Sequence, residues 1–219
     1  MPMKRRSEVF ALTLVVLGML TAVSAATASA VELPEFTVES ASTSTSGKST
    51  LSIGNTKISC AGSAGSSSPL SKKLSKFSFS LTTCKLGGEQ CHSLGDAAGT
   101  ILVTGEYHLV RGTKAEEALL WILFVSVHFE CLFAETLITL RGNLLGALTP
   151  INLRSRIFHL VKSLFEGKQA ITRFTNNEGA EVEAKLEGSL NGGEFKSATE
   201  QSEANSFTTE KETEITHTK

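Results

Sequence analysis

The sequence predicts an all-β protein, either an antiparallel β-sandwich or a barrel-like domain. Residues 76–82 alternate strictly between polar and apolar side chains, which places Phe77, Phe79 and Leu81 on one face of a strand. Similar period-two patterns recur along the chain and are separated by glycine or asparagine, as at residues 87–88, where tight reversals need a positive φ angle. Many short strands without intervening helices are typical of antiparallel folds.

The candidate strands follow one another with short polar connections. Residues 118–129 form an apolar run that we interpret as a buried core strand. One short helix stays open as an alternative, because residues 119–133 are long enough for one and residues 153–165 have some helical spacing. In chain order, the predicted strands are residues 50–53, 56–60, 76–82, 100–107, 118–129 with 125–131, 136–145, 157–164, 169–174, 181–187 and 207–216.

The beginning of the chain has the order of a secretory signal peptide. Three basic residues at 4–6 precede an apolar run over residues 9–20, and small side chains follow up to Ala28 and Ala30. This run is shorter than the roughly 20 apolar residues needed to span a bilayer, so we expect cleavage after Ala30. The predicted organisation is a signal peptide at 1–30, an extended or flexible Ser/Thr-rich lead-in at 31–49, and a single β-rich domain at 50–219.

All four cysteines, Cys60, Cys84, Cys91 and Cys131, follow the predicted cleavage point. An even number of cysteines in an exported chain predicts two disulfide bonds. Three pairings are possible, and we favour Cys84–Cys91, whose intervening glycines can reverse the chain, which leaves Cys60–Cys131. Zinc is not expected, because the closely spaced ligand pairs of zinc sites are missing.

The charge of the chain does not indicate binding to nucleic acid. Removal of residues 1–30 leaves 18 basic and 21 acidic side chains, and the basic ones are scattered along the sequence. Asp96 is the single aspartate, so the closely spaced oxygen ligands of a calcium loop are absent. The apolar run at 118–129 is too short for a membrane span. We therefore predict no metal, no cofactor, no nucleic-acid partner and no transmembrane span after signal cleavage.

No residue is predicted to be catalytic. His128 falls between core-facing Val127 and Phe129 and is expected to point outward. Glu116 and Glu117 are adjacent, so in a strand they would face opposite sides. None of the histidines has a nucleophile in a recognisable motif, and we interpret all five as structural or solvated: His92, His108, His128, His159 and His217.

Several short phrases of the sequence together resemble a known group of proteins. They are residues 31–36 after the signal, Cys84 and Cys91 around a glycine-containing loop, residues 129–131, GNLLGALTPIN at 142–152, and GSLNGGEF at 188–195. These phrases resemble a family of secreted proteins of unassigned function from high-GC Gram-positive (actinobacterial) species. The resemblance implies a bacterial envelope or extracellular setting and no specific activity.

The leading functional hypothesis is a secreted or envelope-associated β-sandwich protein that serves as a non-enzymatic binding or structural module. It would contact a cell-envelope component or an extracellular ligand through loops such as residues 63–75 and 87–99. The alternative is a secreted hydrolase using dispersed Glu and His residues, with His108 or His159 beside carboxylates in a concave pocket.

Overall fold

The structure, a computed structural model, describes most of the chain after the predicted signal peptide. The signal peptide itself lies outside the described residues. The described residues are 32–114, 117–131, 135–176 and 179–217.

The described residues form β-strands and turns without a helix, so the all-β prediction is confirmed. The helix alternative is wrong. Residues 119–131 belong to one long strand, and residues 153–165 contain two strands.

Twenty strands are present in the described residues. They are β1 (Pro34–Phe36), β2 (Ser42–Ser46), β3 (Ser49–Ile53), β4 (Thr56–Cys60), β5 (Gly62–Pro69), β6 (Leu74–Thr82), β7 (Lys85–Leu86), β8 (Glu89–Ser93), β9 (Ile101–Arg111), β10 (Ala118–Cys131), β11 (Thr136–Thr149), β12 (Ser155–Val161), β13 (Leu164–Phe165), β14 (Lys168–Gln169), β15 (Arg173–Thr175), β16 (Glu181–Glu183), β17 (Leu186–Leu190), β18 (Lys196–Ser202), β19 (Ser206–Thr213) and β20 (Ile215–His217).

Eight of these strands close into an antiparallel barrel, which we call the first ring. Around the wall their order is β2, β5, β6, β9, β10, β11, β12 and β19, and β19 pairs back with β2. Each strand is therefore hydrogen-bonded on both sides, as closure of a barrel requires.

The wall continues beyond the first ring into a second one. Its order is β10, β8, β7, β4, β3, β18, β17 and β11, so the long hairpin β10–β11 belongs to both rings. A register shift between Phe124 and Val127 in β10 separates the two parts of this hairpin. Most other strands of the second ring are joined to a first-ring strand by a short bend, as β2 is to β3 and β4 is to β5. The two rings are thus successive sections of one long barrel.

Two of the first-ring strands, β2 and β5, form where the sequence predicted a lead-in and a loop. Residues 42–46 are all Ser or Thr, and residues 62–69 contain mainly Ser and Gly, so neither segment has the apolar alternation that marks a strand. Backbone pairing to β19 and β6 holds them in the wall. The predicted loop at 87–99 likewise contains β8.

A pair of terminal strands covers one end of the first ring. Strand β1 pairs with β20, and the Phe36 ring packs edge-on against Phe158 and Phe207, at centroid distances of 5.6 and 6.3 Å. Phe158 and Phe207 are stacked on each other across β12 and β19. This aromatic cluster closes the end of the barrel with apolar surface.

A second apolar cluster lies on the outside of the first ring. Residues 164–184, which we call the outer segment, place Phe174 against Trp121, with ring centroids 4.8 Å apart. Leu119 and Trp121 face this cluster, whereas Leu120 and Ile122 face the barrel interior. Both faces of β10 are therefore covered over residues 118–124, and this explains why the sequence there is a continuous apolar run.

Substitution of Phe174 tests whether the outer segment is held by this cluster. Phe174 is 1% exposed, so we expect Phe174→Ala to lower the free energy of unfolding by about 3 kcal/mol or more. The fluorescence of Trp121, the only tryptophan, should shift to longer wavelength as its surroundings become wetter. Phe165→Ala is the matched control, because Phe165 is in the same segment and is 69% exposed. Equal effects of the two substitutions in urea unfolding would contradict this account.

The four cysteines lie in a row across neighbouring strands of the second ring. The strand registers place Cys60 in β4 opposite Cys84, Cys84 opposite Cys91 in β8, and Cys91 opposite Cys131 in β10. The disulfides are Cys60–Cys84 and Cys91–Cys131, which confirms two bonds.

The favoured pairing of Cys84 with Cys91 is wrong. It would leave Cys60 and Cys131 at the two ends of the row, about 14 Å apart at the usual strand spacing. A disulfide needs Cα atoms within about 7 Å of each other. Only the observed pairing joins neighbours and leaves no cysteine without a partner within reach.

Peptide mapping without reduction should therefore recover linked peptides containing Cys60 with Cys84 and Cys91 with Cys131. These bonds join residues 24 and 40 positions apart, so replacing either pair by serine should lower the free energy of unfolding by about 3–4 kcal/mol. Recovery of a peptide that links Cys60 to Cys131 would refute the strand order of the second ring, which separates these two residues by about 14 Å.

Candidate functional site

A cavity of about 150 Å³ lies inside the barrel. Every strand of the first ring contributes to its lining, so the cavity is in the lumen. An eight-stranded barrel is just wide enough to be filled by side chains or to hold one small ligand. The side chains that line this partly empty lumen are therefore the candidate functional residues.

The lumen is left open by the two strands that the sequence did not reveal. Strands β2 and β5 line it with serines, including Ser44, Ser46 and Ser63. Across the barrel, β10 and β11 present larger apolar side chains such as Ile122 and Leu144. Serine occupies much less volume than these residues, so the inner layer does not reach across the lumen.

Several hydroxyl groups on the serine side are hydrogen-bonded to one another. Ser42 Oγ lies 2.7 Å from Ser67 Oγ, which in turn lies 2.6 Å from the hydroxyl of Tyr107. A third bond of 2.8 Å joins Ser46 Oγ to Ser63 Oγ. Polar groups that are already hydrogen-bonded cost little when an apolar molecule lies against them. This side of the cavity is therefore compatible with an apolar ligand.

The wall of the barrel has a gap between β12 and β17. Strand β11 pairs with β12 through residues 147–149 and with β17 through residues 138–142, so residues 144–146 belong to neither register. Lys162, directly after β12, lies beside Gly146 at this gap, and Glu200, in β18, contacts Lys162 there. Their side chains line the cavity, and they are the only charged residues that do so among the described residues.

Lys162 and Glu200 form a nearly buried ion pair. Nζ of Lys162 lies 2.7 Å from Oε2 of Glu200, and the two side chains are only 11% and 18% exposed. The side chain of Gln169 fixes Glu200 from the outer segment: its Nε2 donates to the Glu200 carbonyl oxygen at 3.1 Å, and its Oε1 accepts from the Glu200 N–H at 3.2 Å. One amide side chain thus supplies two bonds that a neighbouring strand would otherwise make.

Histidines do not line this cavity. His159 is exposed on the outer face of β12, and His108 lies outside the lumen with its ring 5.3 Å from that of Trp121. Glu200 is the only carboxylate that the described residues contribute to the lining, and it is paired with Lys162. The cavity therefore does not bring together the carboxylates and histidine that the hydrolase alternative requires.

The remaining predicted positions have structural surroundings. His128 is exposed, as predicted, and its ring nitrogens lie 2.8 Å from Ser126 Oγ and 3.1 Å from Thr139 Oγ1. His92 Nε2 lies 3.2 Å from Glu130 Oε1. Within the described ranges, no group of three His, Cys, Asp or Glu side chains is arranged to hold a metal ion. The same ranges contain no helix long and apolar enough to cross a membrane.

The site was only partly accessible to sequence reasoning. Residues 63–75, predicted as a contact loop, do contribute Ser63 and Ser67 to the cavity, but from a barrel strand. Lys162 and Glu200 were missed, because nothing in the sequence connects two residues that meet across a gap between strands.

Comparisons with protein-family models, curated proteins and solved structures found no match for this chain. The resemblance to actinobacterial secreted proteins thus stays a prediction. The fold and the site together define the class of this protein, which is a closed antiparallel barrel with a small, mostly apolar internal cavity.

The pH dependence of stability offers a test of the packing around His108. Burial lowers the pKa of His108 below its ordinary value of 6.5, and the charge of Glu106 acts in the opposite sense. The unfolded chain therefore binds this proton more readily than the folded protein, so the free energy of unfolding falls as pH drops below about 6.5.

We expect His108→Gln to lose less stability than the wild type between about pH 7.5 and pH 5.5, as measured by urea unfolding. His159→Gln serves as the control for loss of a histidine at an exposed position. An unchanged pH dependence in His108→Gln would show that the His108 proton is not linked to folding.

Proposed function

We propose that this protein is a secreted or envelope-associated, non-enzymatic binding module whose barrel holds a small apolar molecule. The observation that carries the proposal is the luminal cavity, lined on one side by serines, several of them hydrogen-bonded to one another, and on the other by apolar side chains. Apolar surfaces with a few fixed polar groups are typical of small-molecule sites.

The proposed location is supported by three features. The N-terminal residues have the order of a secretory signal, and the sequence resembles secreted actinobacterial proteins. Two disulfides fit an oxidising compartment outside the cytoplasm. We propose that the ligand is met in the extracellular space or the cell envelope.

The volume of the cavity limits the size of the ligand. An engineered cavity of about 150 Å³ lined by Leu, Ile and Phe is known to bind benzene. The cavity in this barrel has the same volume and a similar apolar side. The proposed ligand therefore has about the size of one six-membered ring, or of a short aliphatic chain.

Filling the cavity tests this proposal. Benzene should bind the wild-type protein and raise its melting temperature with increasing concentration, because it binds the folded state alone. Ser44→Leu places a larger side chain in the lumen and should abolish this shift. Thr43→Leu is the matched control, since Thr43 is the adjacent, outward-facing residue of the same strand, and this variant should keep the shift.

Thermal unfolding and an NMR titration of the apolar side chains together measure the outcome. If benzene shifts neither the melting temperature nor the resonances of cavity residues such as Ile122 and Leu144, the lumen is a packing defect and the proposal fails.

A further inference from the structure

The ion pair at the gap is an unusual component of an otherwise neutral cavity. Lys162 and Glu200 are the only charged side chains in the described lining, and both are nearly buried. Burial of two charges costs more than their attraction returns unless further hydrogen bonds satisfy them. A ligand group that forms hydrogen bonds with Lys162 and Glu200 would therefore stabilise the buried pair.

Glu200 retains an unused acceptor. Its Oε2 atom lies 2.7 Å from Nζ of Lys162, and an ionised carboxylate has about four acceptor sites on its two oxygens, so one contact does not use them up. Lys162, as an ammonium group, has three N–H donors. A donor and an acceptor on the ligand could thus be satisfied side by side.

The charge of the pair selects among possible head groups. A carboxylate would approach Lys162 but would also lie against Glu200, and an ammonium group would lie against Lys162. Like charges at such short range are unfavourable when water is excluded. A neutral hydroxyl can donate to the Glu200 carboxylate and accept from Lys162 Nζ without disturbing the balance of charge.

We infer that the cavity is a site for a small neutral hydroxyl compound, such as a single-ring phenol or alcohol, whose hydroxyl binds the Lys162–Glu200 pair and whose apolar body lies in the barrel. This inference rests on the proposed binding function and adds the chemical class of the ligand. The apolar side of the lumen provides affinity for the ring, and the ion pair provides selectivity for the hydroxyl.

A series of one-ring probes separates shape from head group. Isothermal titration at neutral pH compares benzene, phenol, benzyl alcohol and benzoate on the wild-type protein. Phenol should bind about tenfold more tightly than benzene, because it adds hydrogen bonds to charged groups. Benzoate should bind at least about tenfold more weakly than phenol. Benzyl alcohol, close to benzoate in size, should still bind, which shows that size does not exclude benzoate.

Two variants at the pair assign the selectivity to it. The double variant Lys162→Met/Glu200→Leu replaces both charges together, which buried pairs often tolerate, and should bind benzene and phenol equally. Glu200→Gln leaves Lys162 without its counter-charge and should gain affinity for benzoate relative to the wild type. The matched control removes an exposed pair, Arg173→Met/Glu181→Leu, and should keep the wild-type order of probes.

The outcomes distinguish this inference from the function on which it rests. If none of the probes binds the wild-type protein, the proposed function fails and the inference with it. If benzene binds as tightly as phenol, or benzoate binds most tightly of all, the cavity is a ligand site but the hydroxyl assignment is overturned. The wild-type ratios decide this even if a variant does not fold.

Discussion

Closure of the barrel at β2 is the constraint on which the rest of the structure depends. This strand consists of Ser and Thr alone, so it enters the wall through backbone hydrogen bonds to β19 and β5 and contributes little apolar surface. Without it the first ring would have two open edges, and the apolar side chains of β6, β9 and β10 would face water. Closure also determines the lumen, because the same small side chains that complete the ring leave its interior partly unfilled.

The long hairpin β10–β11 connects the local sequence to the whole architecture. It contributes to both rings and carries the outer segment on its other face, so its residues are covered on two sides. A strand with both faces buried requires apolar side chains at successive positions, and residues 118–124 have them. The disulfide from Cys91 to Cys131 then attaches the end of β10 to β8, where the second ring has only short pairings.

The fold class was predictable because alternation reports burial directly. Strand β4 has the predicted bounds, and Phe77 and Phe79 share the inner face of β6 as predicted. Strands β2 and β5 escaped prediction because serine and glycine carry no periodic hydrophobic signal, although backbone pairing suits them to a closed wall. The disulfide pairing depends on which strands are neighbours, and the cavity depends on a mismatch in side-chain size across eight strands. Neither the disulfide pairing nor the cavity can therefore be predicted from a local stretch of sequence.

Gln169 shows how closely the outer segment and the lumen are connected. Its side-chain amide makes the two hydrogen bonds to the Glu200 backbone that a neighbouring strand would otherwise make. A single side chain thus takes the place of a paired strand at this point of the barrel. The outer segment, which packs on the opposite surface of the wall, therefore helps to hold the Glu200 carboxylate in its position in the cavity. A substitution at Gln169 would remove both of these hydrogen bonds to the Glu200 backbone. A change in the outer segment can thus alter the polar end of the cavity, although Gln169 does not line the cavity.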